Sequence, residues 1–171
     1  GADYITFRNM TIQNTGATYS SAVYLIGQAD YNTIDSCILL CDTVGTSTYV
    51  IPVVTNNIES STVTAGNSAN YTTISNCLIK GGYYQVSFYG ITTTLCTRNS
   101  IINCRFDKGY AYGIYSYYQK YPRFINNYIR GLRVTTSYGI YNAYCSSSNA
   151  ERNNIVAGYY GLMLTQETNP N

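Results

Sequence analysis

The sequence predicts an all-β solenoid of about six stacked coils, on three observations. A short motif recurs along the chain, as in TIDSCILL at 33–40, TISNCLIKGG at 73–82, SIINCRFDKG at 100–109 and RFINNYIRG at 123–131. Apolar strands of a few residues, bounded by Gly and Asn, take the place of any long 3.6-residue apolar stripe. The units follow at spacings of 27, 40, 27, 23 and 27 residues, a period suited to coils whose strands stack about 4.8 Å apart.

Aligning the units on Asn76 gives a column of Asn9, Ser36, Asn76, Asn103, Asn126 and Asn153. Asn tolerates the left-handed conformation that a tight bend between strands demands, and its amide can pair with the same amide one coil away. The column is therefore read as a corner with a structural ladder. Two positions earlier stand Phe7, Ile34, Ile74, Ile101, Phe124 and Glu151, and three positions later Ile12, Leu39, Ile79, Phe106, Ile129 and Val156. Glu151 alone breaks the apolar pattern. Directly after the corner come Met10, Cys37, Cys77, Cys104, Asn127 and Asn154, an inward column in which Cys37, Cys77 and Cys104 are expected as buried free thiols. A second strand follows in each unit, beginning with AVYLIG at 22, YVIPVV at 49, QVSFYG at 85, YGIYSY at 112, YGIYNA at 138 and YGLMLT at 160. The 40-residue spacing marks a lateral loop insertion around 55–69, whose residues are small and polar.

From YITFRNMTIQNTG to ERNNIVAGYYGLML, these columns make the chain resemble the right-handed parallel β-helix repeat proteins. That group shares its fold with pectin and pectate lyases, tailspikes and many bacterial surface proteins. The resemblance implies a single β-helix domain over 1–171, a segment of a longer β-helix, and an extracellular or bacterial cell-surface location. It is specific for fold and poor for function.

Composition narrows the chemistry. The 171 residues include no His, which excludes His-based acid–base, nucleophilic and metal chemistry within this chain. Eight acids provide no Asp-Asp doublet and no pair aligned on adjacent coils, so the two-carboxylate arrangement of glycoside hydrolysis is not found. The lyases and esterases of the resembled group use clustered acids with Arg or Lys, often around calcium, and its hydrolases pair Asp groups with a His; none of these motifs maps here. No cofactor or metal is expected, since there is no Cys-x-x-Cys pair. Cys41, Cys96 and Cys145 lie outside the thiol column, and a Cys96–Cys145 bridge stays open. Lys80, Asp107 and Arg130 share a position on successive coils and read as a surface ion stack.

Net charge is +2, too small to call for nucleic acid, and no apolar run approaches the roughly 20 residues that cross a bilayer. Charge is unevenly spread. Residues 1–79 set Arg8 against five acids, net −4, while residues 80–171 set nine basic residues against three acids, net +6. Of 21 tyrosines, 15 fall after residue 80. Strand alternation turns Ile114 and Ile140 inward, and therefore Tyr115, Tyr117 and Tyr141 outward, with Tyr24 at the matching place in the first coil. Outward Tyr suits a strand on structural grounds alone. It also suits a contact face for glycan or protein, and nearby Lys120 and Arg133 would favour an acidic polysaccharide. Sequons at Asn9 and Asn70 are compatible with surface glycosylation.

The function expected is a non-catalytic structural or adhesive segment of an extracellular protein. The alternatives are a polysaccharide lyase or glycoside hydrolase related to pectin-active enzymes, and a self-assembling filament subunit. Further coils, or copies of the chain end to end, are the expected neighbours of exposed strand edges.

Overall fold

The computed structural model describes residues 1–56 and 69–166. Each coil lays down three short strands, which in the third coil are Thr73–Ser75, Leu78–Lys80 and Tyr84–Tyr89. Equivalent strands pair in parallel along the axis into three six-stranded sheets, one per face of the rod, so five full turns separate the first rung from the last. A two-stranded ladder of Cys96–Thr97 and Gln119–Lys120 widens the coil locally. The core is one continuous stack, in which Ile34, Ile74, Ile101 and Phe124 from the first face meet Leu39, Ile79, Phe106 and Ile129 from the second. Val53, Val86, Ile114 and Ile140 close it from the third face. Gly113 is required by this packing, since a Cβ there would lie 2.7 Å from Cγ2 of Ile129.

The first and second faces are joined through one residue in the left-handed region. Its φ is between 53° and 55° at Asn9, Ser36, Asn76, Asn103, Asn126 and Arg152. Such a corner costs little for Asn, and the exposed amides chain together, Nδ2 of Asn126 donating to Oδ1 of Asn103 at 2.7 Å. Nδ2 of Asn103 donates to Oδ1 of Asn76 at 3.3 Å, and Nδ2 of Asn76 to Asp35 at 2.8 Å.

The residue after the corner points inward, and it explains why Cys and Asn alternate there. Its side chain accepts the N–H of the equivalent residue one coil earlier. Cys77 Sγ takes Cys37 N–H at 3.4 Å, Asn127 Oδ1 takes Cys104 N–H at 2.9 Å, and Asn153 Oδ1 takes Asn127 N–H at 2.9 Å. The same side chain donates to a first-face carbonyl of that earlier coil. Cys77 reaches Ile34 at 3.6 Å, Cys104 reaches Ile74 at 3.6 Å, Asn127 reaches Ile101 at 2.9 Å and Asn153 reaches Phe124 at 2.7 Å. Thiol and amide do one job, which is to accept the backbone N–H that the corner leaves without a strand partner while anchoring on a strand carbonyl.

This geometry corrects the last unit by one residue. Phe124 pairs with Ala150 and Ile125 with Glu151, so the sixth corner is Arg152, while Asn153 belongs to the inward column. The pattern of Asn had suggested the opposite assignment, because Asn stands at both 153 and 154. With the shift the apolar columns hold: Ala150 replaces Glu151, and Ile155 replaces Val156, which is 60% exposed. The third-face strand of the second coil is also later than expected, at Val53–Asn56 rather than from 49, with Ser20 and Val50 forming an isolated bridge ahead of it. The lateral loop expected around 55–69 falls, for 57–68, outside the described residues; Thr55 and Ala69 at its ends are fully buried.

Replacing Asn127 tests the corner rule. Asn127→Ala leaves Cys104 N–H unpaired in the interior and removes a second bond to the Ile101 carbonyl, and should cost about 1–3 kcal/mol, read from urea unfolding midpoints. Asn127→Cys, which restores a weaker acceptor and donor, should recover at least half of that loss.

Candidate functional site

The third face carries a continuous field of tyrosine rings. Strands Tyr84–Tyr89, Tyr112–Tyr117, Tyr138–Ala143 and Tyr160–Thr165 pair in register, with Tyr84, Tyr112, Tyr138 and Tyr160 in one column and Tyr115 beside Tyr141 in the next. Tyr115 and Tyr141 stack at 5.2 Å with planes 2° apart, and Tyr112 and Tyr138 at 4.9 Å and 5°. Edge contacts bind the columns together, Tyr84 meeting Tyr115 at 5.0 Å and Tyr138 meeting Tyr141 at 5.6 Å. Tyr117 joins through Tyr115 at 5.6 Å and Tyr89 at 5.1 Å. Tyr24 lies in the Tyr115 column as expected, but Val54 and Ser87 intervene, so it stands apart from the field.

Burial, followed by the proximity of other phenols, pushes these hydroxyls up. Tyr112 and Tyr117 are raised to about 12, and Tyr84 and Tyr115 beyond that. The field is therefore an uncharged surface of hydrogen-bonding phenols, unsuited to supplying a base at neutral pH. Each good ring pair contributes about 0.5–1.5 kcal/mol beyond area burial, so the field also stiffens the rod.

Of the basic residues expected beside it, Arg133 lies over the Tyr110 ring at 5.1 Å, a ring joined to Tyr84 through Tyr83, while Lys120 lies apart. The Arg133 guanidinium donates to the carbonyls of Val44 at 2.9 Å and Gly45 at 2.7 Å. The same loop is held from below by Asp42, whose carboxylate accepts N–H groups of Val44 and Gly45; these bonds keep its pKa below the ordinary carboxylate range. Arg133 is thus a strut whose fork donates to backbone. Lys120 turns its ammonium over the Tyr121 ring at 5.3 Å, on the edge that leads to the first face. The expected ion stack is corrected too. Lys80 and Asp107 are register partners, yet among the described residues the ion pairs are Arg8–Asp35 and Arg152–Glu151, and Arg130 lies over Tyr128 at 5.3 Å.

All six thiols are buried. Cys37, Cys77 and Cys104 line the interior as expected, and a hydrogen bond donated by the Cys104 thiol to Cys77, together with burial, holds Cys104 well above the usual thiol range. A Cys96–Cys145 bridge is excluded by register. Gln119 pairs with Cys96 on one side and stands level with Cys145 on the other, which separates the two cysteines by two rungs, about 9.6 Å between Cα atoms. The sequon residue Asn70 is buried, with Oδ1 accepting Thr97 N–H and Nδ2 donating to Asp30, so only Asn9 remains open to glycosylation.

A second corner, unforeseen from the repeat, lies five residues before the first in every unit. Tyr4, Tyr31, Tyr71, Arg98, Tyr121 and Ser147 occupy it, all with φ between 53° and 58°. Its rings stack along the axis, Tyr4 on Tyr31 at 4.8 Å and Tyr31 on Tyr71 at 4.5 Å. The inward rule repeats here, with Asn32 accepting Ile5 N–H and Asn99 accepting Thr72 N–H. The fixed five-residue offset of Tyr from Asn was the available signal. It was obscured because Tyr is a poor candidate for a left-handed residue.

Three parallel faces, left-handed corners and a shared axial register define a parallel β-helix. The chain belongs to the right-handed β-helix family, whose model, described as a right handed beta helix region, matches residues 1–171. Comparison with curated proteins and comparison with solved structures find no match.

Two expectations follow from the polar contacts. Hydrogen bonds from Asn76 and Ser75, then the Arg8 guanidinium, hold the Asp35 pKa below its ordinary value. A depressed carboxylate stabilises the fold above the unfolded-state pKa near 4, and that contribution is lost as pH falls through the lowered folded value. Urea midpoints of the wild type and Asp35→Asn should therefore differ at pH 6 and converge as pH falls from about 4 toward 2. Separately, Arg133→Ala should speed hydrogen exchange at the Val44 and Gly45 amides while leaving Asn103 and Asn126 amides unchanged.

Proposed function

We propose that this chain is a non-catalytic stretch of solenoid at the bacterial exterior that makes contact through its tyrosine-rich third face. The observation that carries this reading is the in-register field joining Tyr84, Tyr112, Tyr115, Tyr117, Tyr138 and Tyr141, a rigid array of rings whose side-chain order is already fixed before a partner arrives. Preordered phenols offer apolar area and hydroxyl groups at low entropic cost, which suits the flat faces of sugar rings or a complementary protein surface. Membership of a β-helix family does not decide function, and the sequence supplies neither His nor an aligned acid pair for the pectin-enzyme alternative. Further coils or another copy are proposed neighbours of the first and last rungs, where Leu162 and Leu164 are about half exposed.

Immobilised neutral and acidic polysaccharides provide the test. Tyr115→Ala with Tyr141→Ala should weaken retention at least tenfold on a neutral polysaccharide that binds, with the fold verified by circular dichroism, and no new reducing ends or unsaturated products should form from either kind. Specific turnover of any polysaccharide that is abolished by replacing Lys80 or Asp107 would overturn the non-catalytic reading.

A further inference from the structure

We infer that an anionic glycan strand is held away from the tyrosine field, in a groove along the second corner. The groove has a volume of about 550 Å³. Tyr71, Arg98 and Tyr121 form one wall, and Thr73, Ser100 and Arg123 form the other. Both walls climb one rung at a time, because Thr73, Ser100 and Arg123 are successive register partners. A ligand lying along them runs parallel to the rod axis and meets a new set of side chains every 4.8 Å or so.

Charge and geometry favour an anion. The Arg98 guanidinium lies 5.9 Å from the Tyr71 ring centre and 5.8 Å from that of Tyr121, so two rings on neighbouring rungs fix its position. Among the described residues neither Arg98 nor Arg123 has a carboxylate within ion-pair distance, and both are exposed. Lys120, over Tyr121, adds a third positive charge at the groove's edge. Asp3 and Asp30 lie on earlier rungs, where their carboxylates accept the N–H groups of Asp30 and Asn70, and Glu151, on the rung after Arg123, is paired with Arg152. Guanidinium forks match carboxylate or sulfate oxygens in pairs, and the half-buried Thr73 hydroxyl and the phenol of exposed Tyr121 match sugar hydroxyls. The rung spacing is close to the length of one sugar unit in an extended chain, which favours a glycan over a polynucleotide, whose repeat is longer. The acidic preference that sequence attached to Lys120 and Arg133 thus moves to Arg98 and Arg123, with Lys120 retained.

This inference rests on the reading of the chain as a binding solenoid, and it can fail separately from the third-face contact. Calorimetric titrations would use a sulfated heparin hexasaccharide, an oligoalginate of equal length and a neutral maltohexaose. Arg98→Asn keeps a residue that tolerates the left-handed corner, and Arg123→Gln preserves the strand. Each should weaken binding of the anionic oligosaccharides at least tenfold. The neutral oligosaccharide should bind at least tenfold more weakly than either anion, and Arg105→Gln, an exposed change on the second face, should leave anion binding within twofold of wild type. The tighter of the two anions identifies the group that the guanidiniums prefer. The groove is overturned if neither anion binds at millimolar concentration, if Tyr141→Ala removes binding while Arg98→Asn does not, or if single-stranded poly-dT binds tighter than both glycans.

Discussion

Everything in this rod depends on how one strand hands over to the next through a single residue of positive φ. A left-handed corner turns the chain within one residue, which keeps the three faces short and the coils in register. It also leaves the next N–H inside the rod without a sheet partner, a loss that would cost about 1–3 kcal/mol at each corner if nothing answered it. The answer is a small polar side chain from the following coil, Cys or Asn, seated where it can both accept and donate. Axial stacking and core packing follow from meeting that local demand.

The same demand accounts for what was legible in the sequence. Asn76, Asn103 and Asn126 announced the first corner because Asn is a favoured left-handed residue, and the alternating apolar positions around them announced the core. The last unit misled because Asn153 and Asn154 are adjacent, and only backbone pairing shows that Arg152 makes the turn. The second corner escaped notice since Tyr71 and Tyr121 are read by propensity as strand residues, although their offset from the Asn column is constant. Propensity describes a residue alone, while here the corner rings meet neighbours along the axis, Tyr31 stacking on Tyr4 and Tyr71, and Arg98 lying between Tyr71 and Tyr121.

For the candidate sites, sequence identified the residue types better than their neighbours. Tyr115, Tyr117 and Tyr141 do lie together, because strand alternation is a local rule. Lys120 does not join them, since its strand belongs to a separate short ladder, and Arg133, placed by a connection between strands, reaches only the outlying Tyr110 ring. Nothing in the chain order placed Arg133 against Val44, a residue three coils earlier. Charge counted along the sequence is therefore a weak guide to charge counted across a face of a solenoid.

The inward bonds have a direction. Asn127 serves the coil of Cys104, and Asn153 serves the coil of Asn127; in each case the later coil completes the earlier one. The rod is thus unlike its own reversal, and a coil becomes fully satisfied only when its successor has been laid upon it. Order of growth is written into the chemistry: a chain emerging from its N-terminal side finishes each storey by building the next, and the newest storey is always the one still open.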